Sequence, residues 1–315
     1  MAPALTALVV AVQPTAAQVA GPTTPAASGF YADPDSSVQR WLNANPGDGR
    51  AADIRASIAS VPQARWFGNW SGTIGTATGA YVGAAAAQGK LPILVAYNIP
   101  NRDICAGQSG GGAGSAADYA TWIAAFASGI GSRPAVVVLE PDSLGDESCM
   151  SAGQIAERNG MLRNAIAQFN AKAPNTKLYL DAGNPAWLSA GTMAQHLADA
   201  GVSGAHGFSL NVSNYIDTAQ NSAYADAVNA ALRSSYGYTK PFVVDTSRNG
   251  NGSDGNWCNA AGRRIGTPTR FGGGGAEMLL WIKAPGESDG NCGTGAGSTA
   301  GQFLPQVAYN LIHGF

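Results

Sequence analysis

Val136-Val137-Val138-Leu139-Glu140-Pro141-Asp142-Ser143-Leu144 is an apolar run that stops abruptly at two carboxylates. Three β-branched residues and a leucine in succession suit a strand buried on both faces, as in a parallel sheet whose helices cover both sides. Pro141 has no N–H to give to a ladder, so the strand is expected to end near Glu140. Asp142 then stands just past the carboxyl end of a buried strand, where catalytic groups sit in α/β barrels and open α/β sheets. An aspartate there also suits the cap of a following turn or helix, and its position alone leaves both readings open.

The same alternation extends to both sides of this stretch. Strand patterns fall at residues 64–67, 91–97, 135–140, 177–181, 207–211, 241–245 and 278–283. Helical patterns fall at 36–44, 51–60, 79–88, 116–127, 155–172, 187–200, 223–234 and 300–313. Alternation this regular predicts an α/β fold, a distorted parallel β/α barrel with about seven strands. Two long loops, 101–114 and 246–275, are dense in glycine, and loops of that length in a compact domain usually carry function.

The chain of 315 residues is long enough for one barrel or two ordinary domains, and no linker divides it. Charged residues make up 12% and the net charge is -2, without a block of like charge, so neither a nucleic-acid partner nor a membrane contact is expected. The apolar stretch 5–12 is too short to span a bilayer, and small residues follow it around Thr15-Ala16-Ala17. That resembles a secretory signal, although no Lys or Arg precedes Arg40. Residues 1–29 are therefore read as a signal and disordered approach, and 30–315 as one catalytic domain of a secreted monomer. Cys105, Cys149, Cys258 and Cys292 lack the spacing of a zinc cage. An even count in an exported protein favours two disulfides, and pairing Cys105 with Cys149 and Cys258 with Cys292 is the simplest of three schemes.

Polar residues finish the strand patterns: Glu140 with Asp142, Asp181, Asn211, Asp245 and Lys283, while Asp103 and Asp289 lie in loops just beyond two others. If the sheet closes, these ends meet at one rim, and a ring of carboxylates with one lysine suits proton transfer better than acyl transfer. His196, His206 and His313 each fall in positions that suit a structural role. Trp66, Trp70, Tyr97, Trp187 and Trp257 collect at the same rim, and sugar rings stack on indole, so acids flanked by tryptophans point to a saccharide cleft. Trp41, Trp122 and Trp281 sit inside helix or strand patterns and are expected in the core. The sequence has neither a phosphate-binding glycine loop after a strand nor a metal-type histidine cluster, so no cofactor and no metal are expected.

Val95-Ala96-Tyr97-Asn98-Ile99-Pro100-Asn101-Arg102-Asp103 and the stretch 136–145 resemble the two signature motifs of glycoside hydrolase family 6, the inverting cellulases. The resemblance continues through Asp181-Ala182-Gly183 with Trp187, Asn211-Val212-Ser213-Asn214-Tyr215, Asp245-Thr246-Ser247-Arg248-Asn249-Gly250, Trp257-Cys258-Asn259 and 281–290, in the family's order over about residues 30–315. It implies a distorted barrel that hydrolyses β-1,4-glucan without a cofactor. Carried over residue by residue, Asp142 resembles the general acid and Asp103 the aspartate that raises the acid's pKa and helps place the water. Asp289 matches the residue proposed as base, a role unsettled in the family. Tyr97 matches the tyrosine under the distorted sugar, Ser109 the serine that holds the water, Lys283 and Glu287 substrate contacts, and Trp66, Trp187 and Trp257 stacking platforms. Asp181 and Asn211, at matching strand ends, join the substrate-binding candidates, and the local disulfide pairing also matches the family's. Two positions depart from it: Ile104 is inserted between Asp103 and Cys105, and Asn184 stands where a histidine commonly follows Asp-Ala-Gly.

Exo-acting members roof the cleft with long loops, and residues 30–315 leave little length for roofs. The sequence therefore predicts an endo-β-1,4-glucanase. The rival readings are an exo-acting cellobiohydrolase of the same family and a non-catalytic glucan-binding protein.

Overall fold

The computed structural model describes Met1 and residues 29–315 except 106, 108, 109 and 146. Nearly all of the expected signal segment, and Ser109, therefore lie outside the described residues. The strands are β1 (Arg65–Phe67), β2 (Ile93–Ala96), β3 (Ala135–Leu139), β4 (Thr176–Asp181), β5 (Gly207–Leu210), β6 (Phe242–Asp245), β7 (Arg270–Gly273) and β8 (Ala276–Leu280). They form one eight-stranded sheet in the order β1-β2-β3-β4-β5-β6-β8-β7. The seven expected strands are the parallel ones, and β7 pairs antiparallel with β8.

Alternate residues of each strand face opposite ways, which explains the unbroken apolar runs. Val136 and Val138 belong to a cluster with Ile93, Val95, Tyr179, Val243, Met278 and Leu280 that fills the lumen of the curled sheet. Val137 and Leu139 pack outward with Leu94, Leu178, Leu180, Phe208 and Val244 against the helices. The sheet curls until β1 and the residues before it meet the residues just after β8: Gln63 bridges Trp281, Ala64 N donates to Trp281 O at 2.9 Å, and Trp66 Nε1 donates to Ile282 O at 2.8 Å. A single bridge in place of a ladder makes the barrel distorted rather than regular.

The helices are α1 (Ser37–Ala44), α2 (Ala51–Ile54), α3 (Ile74–Ala87), α4 (Ala116–Ile130), α5 (Ala152–Lys172), α6 (Ala190–Asp199), α7 (Thr218–Tyr236) and α8 (Pro305–His313). Local chemistry sets their starts. Ser151 and Gln154 form a reciprocal capping box on α5, and Ser36, Ser115, Ser189 and Asp217 cap α1, α4, α6 and α7. Several boundaries shift by a few residues, α7 starting five residues earlier and α8 five later than expected, and three differences have a local cause. α2 passes into a wider π-helical turn, Arg55–Ala59, rather than running on as one α-helix. α3 begins five residues before Gly79, because Gly75 and Gly129 let α3 and α4 approach closely: a Cβ on Gly129 would lie 2.0 Å from Thr78 Oγ1 and 2.5 Å from Gly75 O. β7 arises inside the expected 246–275 loop. Its Arg-Phe-Gly-Gly sequence lacks the usual strand composition, but a glycine turn folds it back onto β8. Trp281 is fully buried, whereas Trp41 and Trp122 are partly buried against the core.

Candidate active site

At the carboxyl ends of the parallel strands the lumen turns from apolar to acidic. Glu140 continues the inward parity of Val136 and Val138, Asp181 that of Tyr179, and Asp245 that of Val243. All three carboxyls are buried. Each is held by backbone N–H groups. Glu140 accepts from Asn98 and Ile99, both at 2.9 Å. Asp181 accepts from Asp142 N at 3.0 Å, Gly183 N at 3.2 Å and Ser209 Oγ at 2.9 Å. Asp245 takes the N–H groups of Ser213, Ser247, Ile282 and Lys283 at 2.9–3.2 Å. Every one of these carboxyls thus fastens a loop beyond a neighbouring strand. Burial pushes Glu140 up to about 7 and Asp181 up to about 6, against the downward pull of their donors, and raises Asp245 as well.

The fastenings hold a strained backbone. Glu140 (φ 47°), Asp142 (φ 72°) and Asp103 (φ 52°) all lie in the left-handed region, which costs an L-residue with a side chain of the order of 1 kcal/mol or more. Asp142 is turned out of the strand direction into the cleft, and the Asp181 carboxylate pins its N–H there. Arg158 of α5, 1% exposed, donates to Ser143 O at 2.9 Å and Asn101 O at 2.8 Å, so one side chain straps the loop of Asp142 to the loop of Asp103. The Cys105–Cys149 disulfide ties the same two loops, and Cys258–Cys292 ties the Trp257 loop to the segment after Asp289.

These loops surround a cleft of about 1570 Å³. Asp142 and Asp103, both half-buried, line it together with Trp66, Tyr97, Trp187, Trp257, Lys283, Glu287 and Asp289. Trp187 lies flat over backbone: a Cβ on Gly145 would approach its ring to 2.5 Å and one on Gly183 to 2.4 Å. Its other face stays open, and the residue is 40% exposed. Trp66 is anchored by its indole N–H and meets Tyr97 edge to face at 5.2 Å. Trp257 is 43% exposed beside its disulfide.

On the far side Asp289 sits between two cations. Arg248 Nη1 donates to its Oδ2 at 2.7 Å, Lys283 Nζ is 3.3 Å from its Oδ1, and Asn259 N donates to Oδ2 at 2.8 Å. Burial alone would raise this carboxyl, but Arg248 and Lys283 outweigh it and hold the group below the ordinary aspartate value. Arg248, itself 1% exposed, also stacks on Tyr215 at 4.4 Å. Glu287 accepts from Ser37 Oγ at 2.6 Å.

Among the described residues, the sequence-predicted catalytic and substrate-binding residues thus meet at one cleft, with two exceptions in placement. Asp181 and Asn211 are buried beneath the floor, where Asn211 donates to Asp245 O at 2.8 Å and accepts from Ile216 N. Their side chains fasten backbone rather than face the cleft. Asn184 lines the cleft and accepts from Ala186 N at 3.0 Å, and Ile104 is exposed on the loop surface. The histidines pair elsewhere: His196 with Leu144 O and Glu147, His206 with Glu277 and His313 with Asp53. Sequence reasoning gave no role to Arg158, Arg102 or Arg248. The partners of Arg158 and Arg248 lie far along the chain, Arg102 donates to the nearby Tyr97 O, and the only local signal was an arginine inside an otherwise apolar or loop motif.

The family model described as Glycosyl hydrolases family 6 matches residues 25–314. Endoglucanase 1 of Streptomyces halstedii is 70% identical over 299 residues, covering 95% of this chain and 92% of that protein. Endoglucanase A of Thermobispora bispora is 44% identical, covering 94% of this chain and 64% of that longer protein. Among solved structures, the endoglucanase Cel6 of Mycobacterium tuberculosis, bound to a thio-linked cellobioside, superposes with a TM-score of 0.82 at 40% identity, covering 90% of this chain and 96% of that one.

Proposed function

Because the chain belongs to glycosyl hydrolases family 6, we propose that it hydrolyses internal β-1,4-glucosidic bonds of cellulose chains with inversion, and that Asp142 is the general acid. The observation that carries this reading is the strained turn after β3, with Asp142 in a tryptophan-lined cleft that Asp103 also lines. Protonated Asp142 donates to the oxygen of the departing glucose as that C–O bond breaks. Water attacks C1 from the opposite face and passes its proton to solvent water in the cleft as the new C1–O bond forms, and the product is the α-anomer. Asp103 and Tyr97 line the cleft where the water and the distorted ring would sit. Trp66, Trp187 and Trp257 take neighbouring glucose rings by stacking, and Lys283 and Glu287 take hydroxyls.

Asp289 has a different task from that of a base. A carboxylate held low by Arg248 and Lys283 is a weak proton acceptor, so it anchors those cations and orients Lys283 toward the substrate. Two disulfides fit an oxidising, extracellular setting. Relatives named endoglucanases at 70% and 44% identity support internal cleavage over exo action.

The test follows product anomers by NMR together with viscosity of a soluble cellulose derivative. Initial release of α-product with a rapid fall in viscosity is expected. Release of β-product, or soluble cellobiose at constant viscosity, would overturn the assignment. Asp142→Asn separates the enzyme from a glucan-binding protein: hydrolysis is expected to fall by at least about 10²-fold with oligosaccharide affinity kept, and unchanged hydrolysis refutes the acid's identity.

A further inference from the structure

Trp70 lies in the loop after β1 and lines the same cleft, yet nothing in the proposed mechanism uses it. It is 56% exposed, the most exposed of the cleft's tryptophans. A lone exposed aromatic is unremarkable on a protein surface. Trp70, however, is held in place from below. A Cβ on Gly68 would lie 2.4–2.8 Å from the six-membered part of the indole, so the ring rests directly on backbone, as Trp187 does on Gly145 and Gly183. Beside it Arg102, 8% exposed, lies 5.7 Å from the Trp70 ring and 4.2 Å from the Tyr97 ring, and Arg102 Nη1 donates to Tyr97 O at 3.0 Å. The guanidinium therefore bridges two rings, one exposed and one at the centre of the cleft.

We propose that Trp70 is a further stacking platform for a glucose ring, extending the cleft past Trp66 and Tyr97 on the β1 side. The inference rests on the cellulose-cleaving reading of the same cleft. Three features carry it: continuity with the cleft, an indole fixed on Gly68, and high exposure of the ring on the cleft side. A β-1,4-linked chain offers alternate flat faces along its length, so a platform beyond Trp66 is filled only by substrates long enough to reach it. Its contribution therefore depends on chain length. Arg102 couples the platform to Tyr97 and to the adjacent Asp103, so removing the indole without filling its place also loosens that guanidinium.

The experiment measures kcat and KM on cello-oligosaccharides from three to six glucose units for the wild type, Trp70→Ala and Trp70→Phe. For Trp70→Ala, KM on the longest oligosaccharides should rise roughly tenfold, with the shortest substrate and kcat little changed, as expected for loss of one stacked ring. Trp70→Phe, which keeps a flat ring, should recover part of the loss. Uniform KM across all lengths in Trp70→Ala overturns the platform. So does an equal fall in kcat at every length with a lowered Tm, which would make Trp70 only a support for Arg102. Failure of the wild type to cleave any of these substrates would instead remove the underlying functional reading.

Discussion

Gly145→Ala isolates the Trp187 platform without touching the indole. A Cβ on Gly145 falls 2.5 Å from Cε3 and 2.9 Å from Cζ3 of Trp187, whereas carbon atoms in contact settle near 3.5–4.0 Å, so the ring must move by about 1 Å. Gly145 lies outside the left-handed region, and its N–H to Asp142 O at 3.1 Å survives the change, so the fold should lose less than about 1 kcal/mol. Binding should suffer more. Loss of about 1 kcal/mol of stacking weakens affinity roughly fivefold. A sugar displaced by about 1 Å near the bond to be cut can lower the rate by up to about 10²-fold. The assay pairs kcat and KM on defined oligosaccharides with tryptophan fluorescence on binding a non-cleaved thio-oligosaccharide and with thermal unfolding. Gly183→Ala makes a similar clash at 2.4 Å but sits at φ 61°, so it should lose stability as well as affinity. In a double-mutant cycle, adding Gly145→Ala to Trp187→Ala should have no further effect on binding. Native fluorescence, KM and kcat in Gly145→Ala would show that Trp187 does not need to lie flat, and the platform reading would fail.

The buried carboxyls give stability a pH dependence of definite sign. Glu140 and Asp181, raised by burial to about 7 and about 6, bind protons more tightly in the folded chain, so their contribution is complete below about pH 4 and is lost as pH rises through 6 and 7. For Glu140 the rise from 4.5 to about 7 corresponds to about 3 kcal/mol. Urea midpoints should fall between pH 4.5 and 7.5; a rising midpoint contradicts the placement. The lowered Asp289 contributes fully throughout that range and loses its contribution only under stronger acid. Reduction of Cys105–Cys149 removes a closure worth about 4 kcal/mol for its 44-residue separation and frees the loops of Asp103 and Asp142 together. A Cys105→Ser/Cys149→Ser variant should lose kcat at temperatures where circular dichroism still reports a folded barrel; activity falling only in step with unfolding would refute the link.

The barrel was legible because its strands are buried on both faces, and runs such as Val136 to Leu139 have few other uses. The early start of α3 and the strand β7 escaped because glycine reads as a breaker. At Gly75 and Gly129 it instead permits helix contact, and in 272–275 it turns a hairpin. Asp142 and Asp103 were singled out by their place past strand ends, and the tryptophans by the stacking surface they offer a sugar ring. Asp181 and Asn211 look the same in sequence. What separates them is depth: Asp181 is the last residue of β4, under the next layer of loops, whereas Asp142 stands beyond Pro141 and so reaches the cleft. Arg158 and Arg248 bind atoms up to 57 residues away, and no local pattern announces such a partner.

The excess of acids at this rim follows from how a parallel barrel ends. Where neighbouring strands diverge into loops, their N–H groups lose ladder partners while still buried, and each must find an acceptor. A carboxylate offers about four lone-pair sites and no competing donor, which an amide side chain cannot match. Asp245 fills all of that capacity with four N–H groups. Glu140 and Asp181 take two each, Asp181 adding a serine hydroxyl. Charge at the strand ends is therefore of two kinds. One kind sits beneath the floor, counts backbone donors and fixes the left-handed turns. The other, Asp142 and Asp103, stands half-buried in the cleft where a glycosidic oxygen can reach it. The second kind depends on the first, because the Asp181 carboxylate accepts the N–H of Asp142 in the left-handed turn that aims its carboxyl into the cleft.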